Sequence, residues 1–292
     1  MSRRDLVVRL LRLSACFPLP VVHAFGTFIG WLLSWIPNKS QRIATANIAR
    51  CLPEWSQAER NRLLRRNLVE TGKIMLELGP LWLWEAQRVL GLIQAVTGEE
   101  AWQAALAERR GGIAITPHLG AWEVSGLYVS SRYPTTILYR PSRLGIDDLI
   151  CAARERAGGR TVATDSAGVR ALYKALQAAE VLGILPDQDP GREAGIFAPF
   201  FGQPAHTMVL LSRLAMKYRC PVCLVCAERL PRGRGYRLRF DLLPDTVSEG
   251  PLEASVTAVN AAVEQAVRRR PEQYLWVYKR FKTRPLQPSA AN

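Results

Sequence analysis

The stretch GGIAITPHLGAWEVSG, residues 111–126, contains an apolar run, a turn with Pro117 and Gly120, and the start of a helical stretch. An apolar run of this length, bounded by turn residues, is typical of a buried strand. The same alternation continues downstream. Strands are predicted for GIAIT (112–116), TILYR (136–140), TVAT (161–164), VLGILP (181–186), VCLVCA (222–227) and YRLRF (236–240).

Helices are predicted around residues 122–131, 147–156, 168–179 and 207–217, with a last helix at 252–270. Strand, helix and strand in repetition predict an α/β fold, with a mostly parallel central sheet flanked by helices. Ligands of such sheets bind beyond the carboxyl ends of the strands. The polar residues discussed below follow predicted strands, so they are expected at that edge.

The N-terminal segment, residues 1–40, is predicted to associate with a membrane. Residues 13–38 contain no Asp, Glu, Lys or Arg, but Pro18 and Pro20 break the helical pattern. The unbroken apolar run after them has 16 residues, or about 24 Å of helix, against a bilayer core of about 30 Å. An in-plane or re-entrant helix pair and one tilted span both fit, and a buried soluble helix is the third alternative.

Residues 41–292 are predicted to form the α/β domain, which begins with a helical lead-in over residues 41–94. Apolar and basic residues recur there at intervals of three and four.

His118 directly follows the strand of the quoted stretch, and Glu123 lies five residues further on. Five residues of regular helix rotate a side chain by about 500°, so the two meet only if His118 lies in the turn. Glu123 could then accept the imidazole N–H, leaving the other nitrogen to take a proton from an alcohol. Neither Ser nor Cys lies beside His118, which favours direct attack by an acceptor hydroxyl over an acyl-enzyme.

Further polar residues end two other predicted strands. Arg140 closes TILYR, and Asp187, Gln188 and Asp189 follow VLGILP. The alternatives are a surface role for Arg140, and a magnesium site or a simple turn for the two aspartates, although the sequence offers no third ligand or phosphate loop. The aromatic, glycine-rich stretch PFFGQPAHT (199–207) is predicted to be a loop before a helix that starts at Thr207.

The chain is strongly basic, with 39 Lys and Arg, 25 Asp and Glu, and a net charge of +14. Such an excess attracts nucleic acid, anionic lipid headgroups or an acidic protein. Cys220, Cys223 and Cys226 are evenly spaced, but a strand separates their ends by about 10 Å. One zinc ion needs all its sulfurs about 2.3 Å away, so core cysteines are the preferred interpretation.

Taken in order, these motifs resemble those of the bacterial lipid A biosynthesis acyltransferases, the late-acting lauroyl and myristoyl type, within the glycerolipid acyltransferase superfamily. His118-Leu-Gly-Ala-Trp-Glu123 matches the superfamily's histidine–acid motif. Further blocks of this chain resemble later motifs of the family in position and spacing. They are Tyr139-Arg140-Pro141, Arg154-Glu-Arg156, Pro186-Asp187-Gln188, Phe200-Phe201-Gly202, Cys220-Pro221-Val222 and the tail PEQYLWVYKRFKTRP (271–285). Relatives often carry His where this chain has Tyr278.

The resemblance implies transfer of a fatty acyl group from acyl carrier protein to a hydroxyl of a Kdo-bearing lipid A precursor. It implies no cofactor beyond the acyl donor and no metal, with action at an anionic membrane surface, the cytoplasmic face of the inner membrane. His118 and Glu123 would be catalytic. Arg140, Arg154, Asp187, Gln188 and Asp189 would bind substrate, with Asp187 orienting an arginine or contacting the acceptor.

Two alternatives remain from the residues alone. The same motif serves acyltransferases with another lipid acceptor, such as a lysophospholipid or a glycolipid. A more remote alternative is a nucleic-acid-binding protein that uses the basic aromatic tail RRRPEQYLWVYKRFKTRP (268–285) as its binding patch. The apolar N-terminus and the His118 turn have no role in that alternative, so no nucleic acid is expected as a partner.

Overall fold

The computed structural model describes residues 2–108, 110–191 and 193–285, and its first part is helical. Ser2 and Ser56 each cap a helix. The serine side chain accepts the backbone N–H of the residue three positions on, Asp5 or Glu59, and the carboxylate of that residue accepts the serine N–H. Backbone N–H groups that would otherwise be unpaired are thereby satisfied. Pro18 stands at the start of the second helix, where a proline costs no hydrogen bond. The helices are α1 (Arg3–Ala15), α2 (Leu19–Trp35), α3 (Lys39–Cys51), α4 (Gln57–Leu83) and α5 (Ala86–Leu90).

The rest of the chain alternates strands and helices, as predicted. In chain order the elements are β1 (Ile93–Thr97), α6 (Glu99–Leu106), β2 (Gly112–Ile115), α7 (Trp122–Arg132), β3 (Thr135–Tyr139), α8 (Asp147–Glu155), β4 (Gly159–Ala163), α9 (Ser166–Gln177), β5 (Val181–Ile184), β6 (Gly195–Phe200), β7 (Gln203–Met208), α10 (Leu210–Tyr218), β8 (Val222–Arg229), β9 (Tyr236–Leu242), α11 (Thr246–Glu249) and α12 (Leu252–Arg269).

Within the described residues one seven-stranded sheet has the order β1-β9-β8-β2-β5-β3-β4. Strands β8, β2, β5, β3 and β4 are parallel, β9 is antiparallel to β8, and β1 pairs parallel to β9. The predicted α/β class with a mostly parallel sheet is therefore confirmed. Since β5 and β8 flank β2, the loops after these three strands meet at one edge.

Strand β2 lies at the centre of the core and is buried along its whole length. Side chains of a strand alternate between faces, and Ile113 and Ile115 accordingly join one apolar cluster while Ala114 joins the other. The prediction of core cysteines is confirmed, because Cys223 and Cys226 are buried in different clusters and carry free thiols.

The N-terminal segment packs tightly on α4 through glycines. A Cβ atom added to Gly72 would lie 2.1 Å from the carbonyl oxygen of Gly26, and one added to Gly30 would lie 2.3 Å from that of Leu68. The backbones of α2 and α4 therefore touch, an approach that only glycine permits. One face of α2 is closed against α4 by these contacts.

The opposite faces of α1 and α2 expose large apolar side chains. Trp35 is 67% exposed, Phe28 59% and Leu13 58%. Among the described helices none is by itself both long and apolar enough to span a bilayer; α2 and α3 satisfy length and composition together but are bent by 79° relative to each other. Membrane association of residues 1–40 stays a prediction.

Three predicted assignments are wrong. Residues 93 and 94, assigned to the helical lead-in, belong to edge strand β1. The predicted loop 199–207 is part of the antiparallel β6–β7 hairpin, with His206 and Thr207 inside β7, and the helix begins at Leu210 rather than Thr207. The hairpin turns at Phe201 and Gly202, both with positive φ, as a two-residue loop of type I′ requires.

Candidate active site

The turn after β2 presents His118 at the carboxyl edge of the sheet. Gly120 has φ +61°, and a Cβ there would meet the carbonyl oxygen of Ala227 at 2.1 Å, so this position requires glycine. The backbone N–H of Gly120 donates to the Gln273 carbonyl, and His118 accepts from Leu275 N–H, at 3.1 and 3.0 Å. The C-terminal tail thus fixes the turn that carries the imidazole.

Asp187, in the loop after β5, is the carboxylate paired with His118. Its Oδ1 lies 2.8 Å from the imidazole Nδ1, and its Oδ2 accepts the backbone N–H of His118 at 3.0 Å. Burial acts to raise the pKa of Asp187, but the His118 charge and these two hydrogen bonds outweigh it, so the pKa is lowered. An ionised Asp187 accepts Nδ1–H and fixes the tautomer that leaves Nε2 with its lone pair.

Glu123 lies in the first turn of α7 and pairs with Arg154 of α8, not with His118. Its two oxygens accept from Arg154 Nε at 3.1 Å and Nη2 at 2.6 Å. Burial acts to raise the pKa of Glu123, but the charge and hydrogen bonds of Arg154 lower it by more, so the pKa of Glu123 is below its usual value. The predicted contact from Glu123 to the imidazole is therefore corrected: Asp187 takes that position.

A cavity of about 200 Å³ lies in front of the imidazole. It brings together four of the residues predicted for the site, namely His118, Arg140, Arg154 and Gln188. The Gln188 amide nitrogen lies 3.1 Å from His118 Nε2, which suits an amide donating to the ring lone pair. The His118 side chain is 15% exposed, so its second nitrogen can be reached from the cavity.

Asp189 is fully buried and contacts the C-terminal tail rather than the cavity. Its carboxylate accepts the backbone N–H groups of Gly191 at 2.9 Å and Thr283 at 3.1 Å. Its own N–H donates to the hydroxyl of Tyr278 at 3.2 Å. Asp187 and Asp189 thus face different partners, and no cluster of three or more metal-ligating side chains occurs in the described part of the chain.

A buried ionic network behind the turn was not predicted from the sequence. Arg229 donates to Glu77 and Glu70, and its Nη2 also reaches the Gly120 carbonyl at 3.1 Å. His23 of α2 contacts the same Glu77, with 2.9 Å between Nε2 and Oε2. The network therefore joins the N-terminal helices to the backbone of the His118 turn. Its members lie up to 206 residues apart in the sequence, counted from His23 to Arg229 (229 − 23).

The C-terminal tail, residues 271–285, packs against the core. Tyr274 and Trp276 are 4% and 1% exposed, and Tyr274 pairs with Leu119 in a β-bridge. Bases stack on exposed aromatic rings, so these two rings are closed to nucleic acid. The remote alternative of a nucleic-acid-binding tail would have to do without these two rings.

Comparison with known proteins gives a consistent result. A family model described as bacterial lipid A biosynthesis acyltransferase matches residues 4–283. The chain is 29% identical to a lipid A biosynthesis lauroyltransferase of Escherichia coli, over 92% of this chain and 87% of that protein. It is 29% identical to the palmitoleoyltransferase of the same organism, over 94% and 89%, and 26% identical to its myristoyltransferase, over 91% and 81%.

Proposed function

Because the chain belongs to the bacterial lipid A biosynthesis acyltransferases, and is therefore an acyltransferase, we propose that it transfers a fatty acyl group from acyl carrier protein to a Kdo-bearing lipid A precursor. The acceptor is a hydroxyl group of the precursor. The observation that carries the proposal is His118, whose Nδ1 is held by Asp187 while Nε2 faces a cavity flanked by two arginines.

His118 acts as general base. Its Nε2 takes the proton of the acceptor hydroxyl, the oxygen attacks the thioester carbonyl, and the tetrahedral intermediate expels the carrier's thiolate. The proton on Nε2 then passes to that thiolate, which leaves the imidazole neutral again. Gln188, now 3.1 Å from Nε2, occupies the position that the acceptor hydroxyl takes. Asp187 keeps the tautomer and balances the imidazolium charge during the step.

Arginine side chains stabilise the oxyanion. The backbone N–H groups around the turn are already used: those of His118, Gly120 and Ala121 donate to Asp187, Gln273 and Ala227. The remaining donors around the cavity include the two guanidinium groups, of Arg140 and Arg154, which also suit phosphate or carboxylate groups of the substrates. Glu123 fixes Arg154 in place, which is the role we assign to this second acidic residue.

The acyl chain enters an apolar crevice next to the cavity. Both spaces are lined by Arg154, Ile184 and Leu185, and the crevice continues past Val129 and Gly126 between α7 and the sheet. A Cβ added to Gly126 would meet no atom within 4 Å. The crevice is narrow in this structure, so we infer that it widens when the chain enters.

The protein works on the cytoplasmic face of the inner membrane. Apolar side chains exposed on α1 and α2 insert at the interface, and arginines of α1 contact anionic headgroups. Together with Phe17 and Ile36, which lie just outside the two helices, the exposed set comprises Leu6, Leu10, Leu13, Phe25, Phe28, Trp31, Leu32 and Trp35. In-plane association fits better than a span, because α2 already has one face closed against α4.

The test is acyl transfer by purified protein in mixed micelles, with acyl carrier protein thioester as donor and three acceptors compared. These are the Kdo-bearing precursor, the same precursor without Kdo, and lysophosphatidate. We expect one acyl group to be added to the Kdo-bearing precursor only. Equal or faster transfer to lysophosphatidate would overturn the assignment in favour of the alternative phospholipid acceptor.

A further inference from the structure

A strongly basic groove of about 720 Å³ lies between α3 and the C-terminal tail. We call it the α3–tail groove. Its uncharged lining includes Asn47 and Phe281, and the lining contains no carboxylate. Ligand pockets commonly enclose about 300–1,000 Å³, so the space suits a small headgroup. The cations that line it are Lys39, Arg42, Arg50, Lys279, Lys282 and Arg284.

The groove has a fixed shape. The Asn47 amide donates to the carbonyl oxygens of Trp276 at 2.7 Å and Tyr278 at 2.6 Å, which pins the tail along α3. The guanidinium of Arg50 lies 4.9 Å from the centre of the Phe281 ring. Both walls are thereby held at a set distance before any ligand binds, which lowers the entropy cost of binding.

The positive charge of the groove favours an anionic partner. Six like charges around one groove repel each other, and an anion bound among them relieves that repulsion. Within the described residues, Lys282 has an acidic neighbour, Asp189, at 3.6 Å, but that carboxylate also accepts from the tail backbone. Arginine and lysine at this density are typical of phosphate binding.

The position of the groove favours a lipid over a protein as the source of that phosphate. Helix α3 begins four residues after Trp35, which ends the apolar helix α2 and is 67% exposed. Ile36 between them is 50% exposed. If the apolar faces of α1 and α2 lie in the interface, the groove borders the headgroup layer, where tryptophan side chains concentrate.

The groove is also connected to the reactive imidazole. Lys282 lines the groove and contacts Asp189, and the next residue, Thr283, donates its N–H to the same carboxylate. Asp189 follows Asp187 and Gln188, which contact the two nitrogens of His118. One loop therefore separates the groove from the catalytic cavity.

From these observations we propose that the α3–tail groove binds the phosphorylated sugar headgroup of the acceptor lipid. This proposal rests on the proposed function and specifies its acceptor site. The headgroup lies among the six cations while an acyl chain of the same lipid carries its hydroxyl into the cavity. Recognition is by phosphate charge, so a lipid with the same sugars and chains but no phosphate binds poorly.

The experiment measures sedimentation of the full chain with phosphatidylcholine vesicles and no acyl donor. The vesicles carry either a bis-phosphorylated, acylated glucosamine disaccharide or its dephosphorylated form. The test variant is Arg42→Gln/Arg50→Gln, two exposed positions on α3. The matched control is Arg170→Gln/Arg213→Gln, which removes the same charge from exposed positions on α9 and α10.

We expect wild type and control to prefer the phosphorylated lipid, and the test variant to lose about a hundredfold in affinity for it, roughly tenfold per arginine. Binding to the dephosphorylated lipid should not change. Equal binding of all three proteins to the phosphorylated lipid would overturn the proposal. A rise in the KM for acyl carrier protein, with lipid binding intact, would also overturn it and assign the groove to the acidic protein.

The outcome is independent of the proposed function, because sedimentation needs no turnover. A protein that binds the phosphorylated lipid through the groove but acylates none of the acceptors would refute the proposed reaction and leave the groove assignment standing. A protein that acylates the Kdo-bearing precursor equally well with and without the two arginines, at unchanged KM, would refute the groove assignment and leave the proposed reaction standing.

Discussion

Two histidine–carboxylate pairs of similar length lie in this protein, His118–Asp187 at 2.8 Å and His23–Glu77 at 2.9 Å. The side chain of His23 is 5% exposed, and its partner Glu77 already holds the guanidinium of Arg229. His118 is 15% exposed and lines the cavity. Contact with a carboxylate is therefore not enough to make a histidine a general base; its second nitrogen must also be accessible to substrate.

The two pairs also differ in what they connect. His23–Glu77 joins α2 to α4 and, through Arg229, supports the Gly120 carbonyl of the turn. His118–Asp187 joins the ends of two neighbouring strands, β2 and β5. We therefore expect substitutions in the first pair to change stability and substitutions in the second to change turnover.

The largest expected effect is from the same substitution made in both pairs. His118→Gln keeps a polar side chain but removes the base, so kcat should fall about 10²–10⁴-fold, the usual contribution of general base catalysis. His23→Gln retains a donor for Glu77 and lies outside the cavity, so it should change kcat by less than about threefold while lowering stability. Steady-state acyl transfer measures both, with circular dichroism to confirm folding. Comparable turnover in the two variants would remove the distinction.

Glu77→Gln should cause the largest loss of stability. Removing one partner of a buried ion pair costs about 3–5 kcal/mol, because the other charge is left uncompensated. Urea unfolding, monitored by tryptophan fluorescence, measures this loss. A value near zero would show that Glu70 alone satisfies Arg229.

Acid titration should separate Glu77 from other carboxylates. Burial acts to raise its pKa, but Arg229 and His23 outweigh burial and bring it from the usual 4.5 to about 2. A lowered folded-state pKa stabilises the protein above pH 4.5, and this contribution is lost as the pH falls towards 2. Wild type should lose stability over that window more steeply than Glu77→Gln. Parallel curves would contradict the assignment.

Asp187→Asn tests the orienting role in the catalytic pair. The amide is close in size but can donate to Nδ1, which favours the wrong tautomer, so kcat should fall by up to about 10⁴-fold, the loss found for the same change in a Ser-His-Asp triad. Stability should change less than in Glu77→Gln, because Asp187 pairs with no guanidinium in the described contacts. Proton NMR of the imidazole would show the tautomer change directly. Unchanged turnover together with an unchanged tautomer would refute the role.

The smallest expected effect compares one glycine from each region. Gly72→Ala at the α2–α4 contact should destabilise the protein by about 1–3 kcal/mol, since its Cβ would lie 2.1 Å from a carbonyl oxygen. Gly126→Ala has open space around the new Cβ and should stabilise helix α7 by about 0.5–1 kcal/mol. Thermal unfolding measures both, and equal shifts would show that the two regions pack alike.

Much of the sheet could be predicted from sequence, because each buried strand is a short apolar run between turn residues. Strand β1 was missed because it is a partly exposed edge strand that follows directly on a helix. The β6–β7 hairpin was missed because Phe201 and Gly202 form its turn, and a phenylalanine at positive φ gives little sequence signal.

The candidate site could be predicted as a set of residues but not as a set of pairs. His118 and Glu123 are five residues apart, which suggested a contact between them. In the structure Glu123 instead pairs with Arg154, and His118 pairs with Asp187. The second pairing depends on β2 lying beside β5, a neighbour relation set by sheet order. Buried partners such as Glu77 and Arg229 have no local signal at all, since their contacts cross most of the chain.

Acylation of lipid A at the His118 cavity is tested most directly by mass spectrometry of lipid A from cells that lack this gene. The cells would be complemented with wild type, His118→Gln or His23→Gln, at matched protein levels. We predict that one secondary acyl chain, missing in the deletion, returns with wild type and His23→Gln and stays missing with His118→Gln. Restoration by His118→Gln, or lipid A that is unchanged by the deletion, would contradict the account.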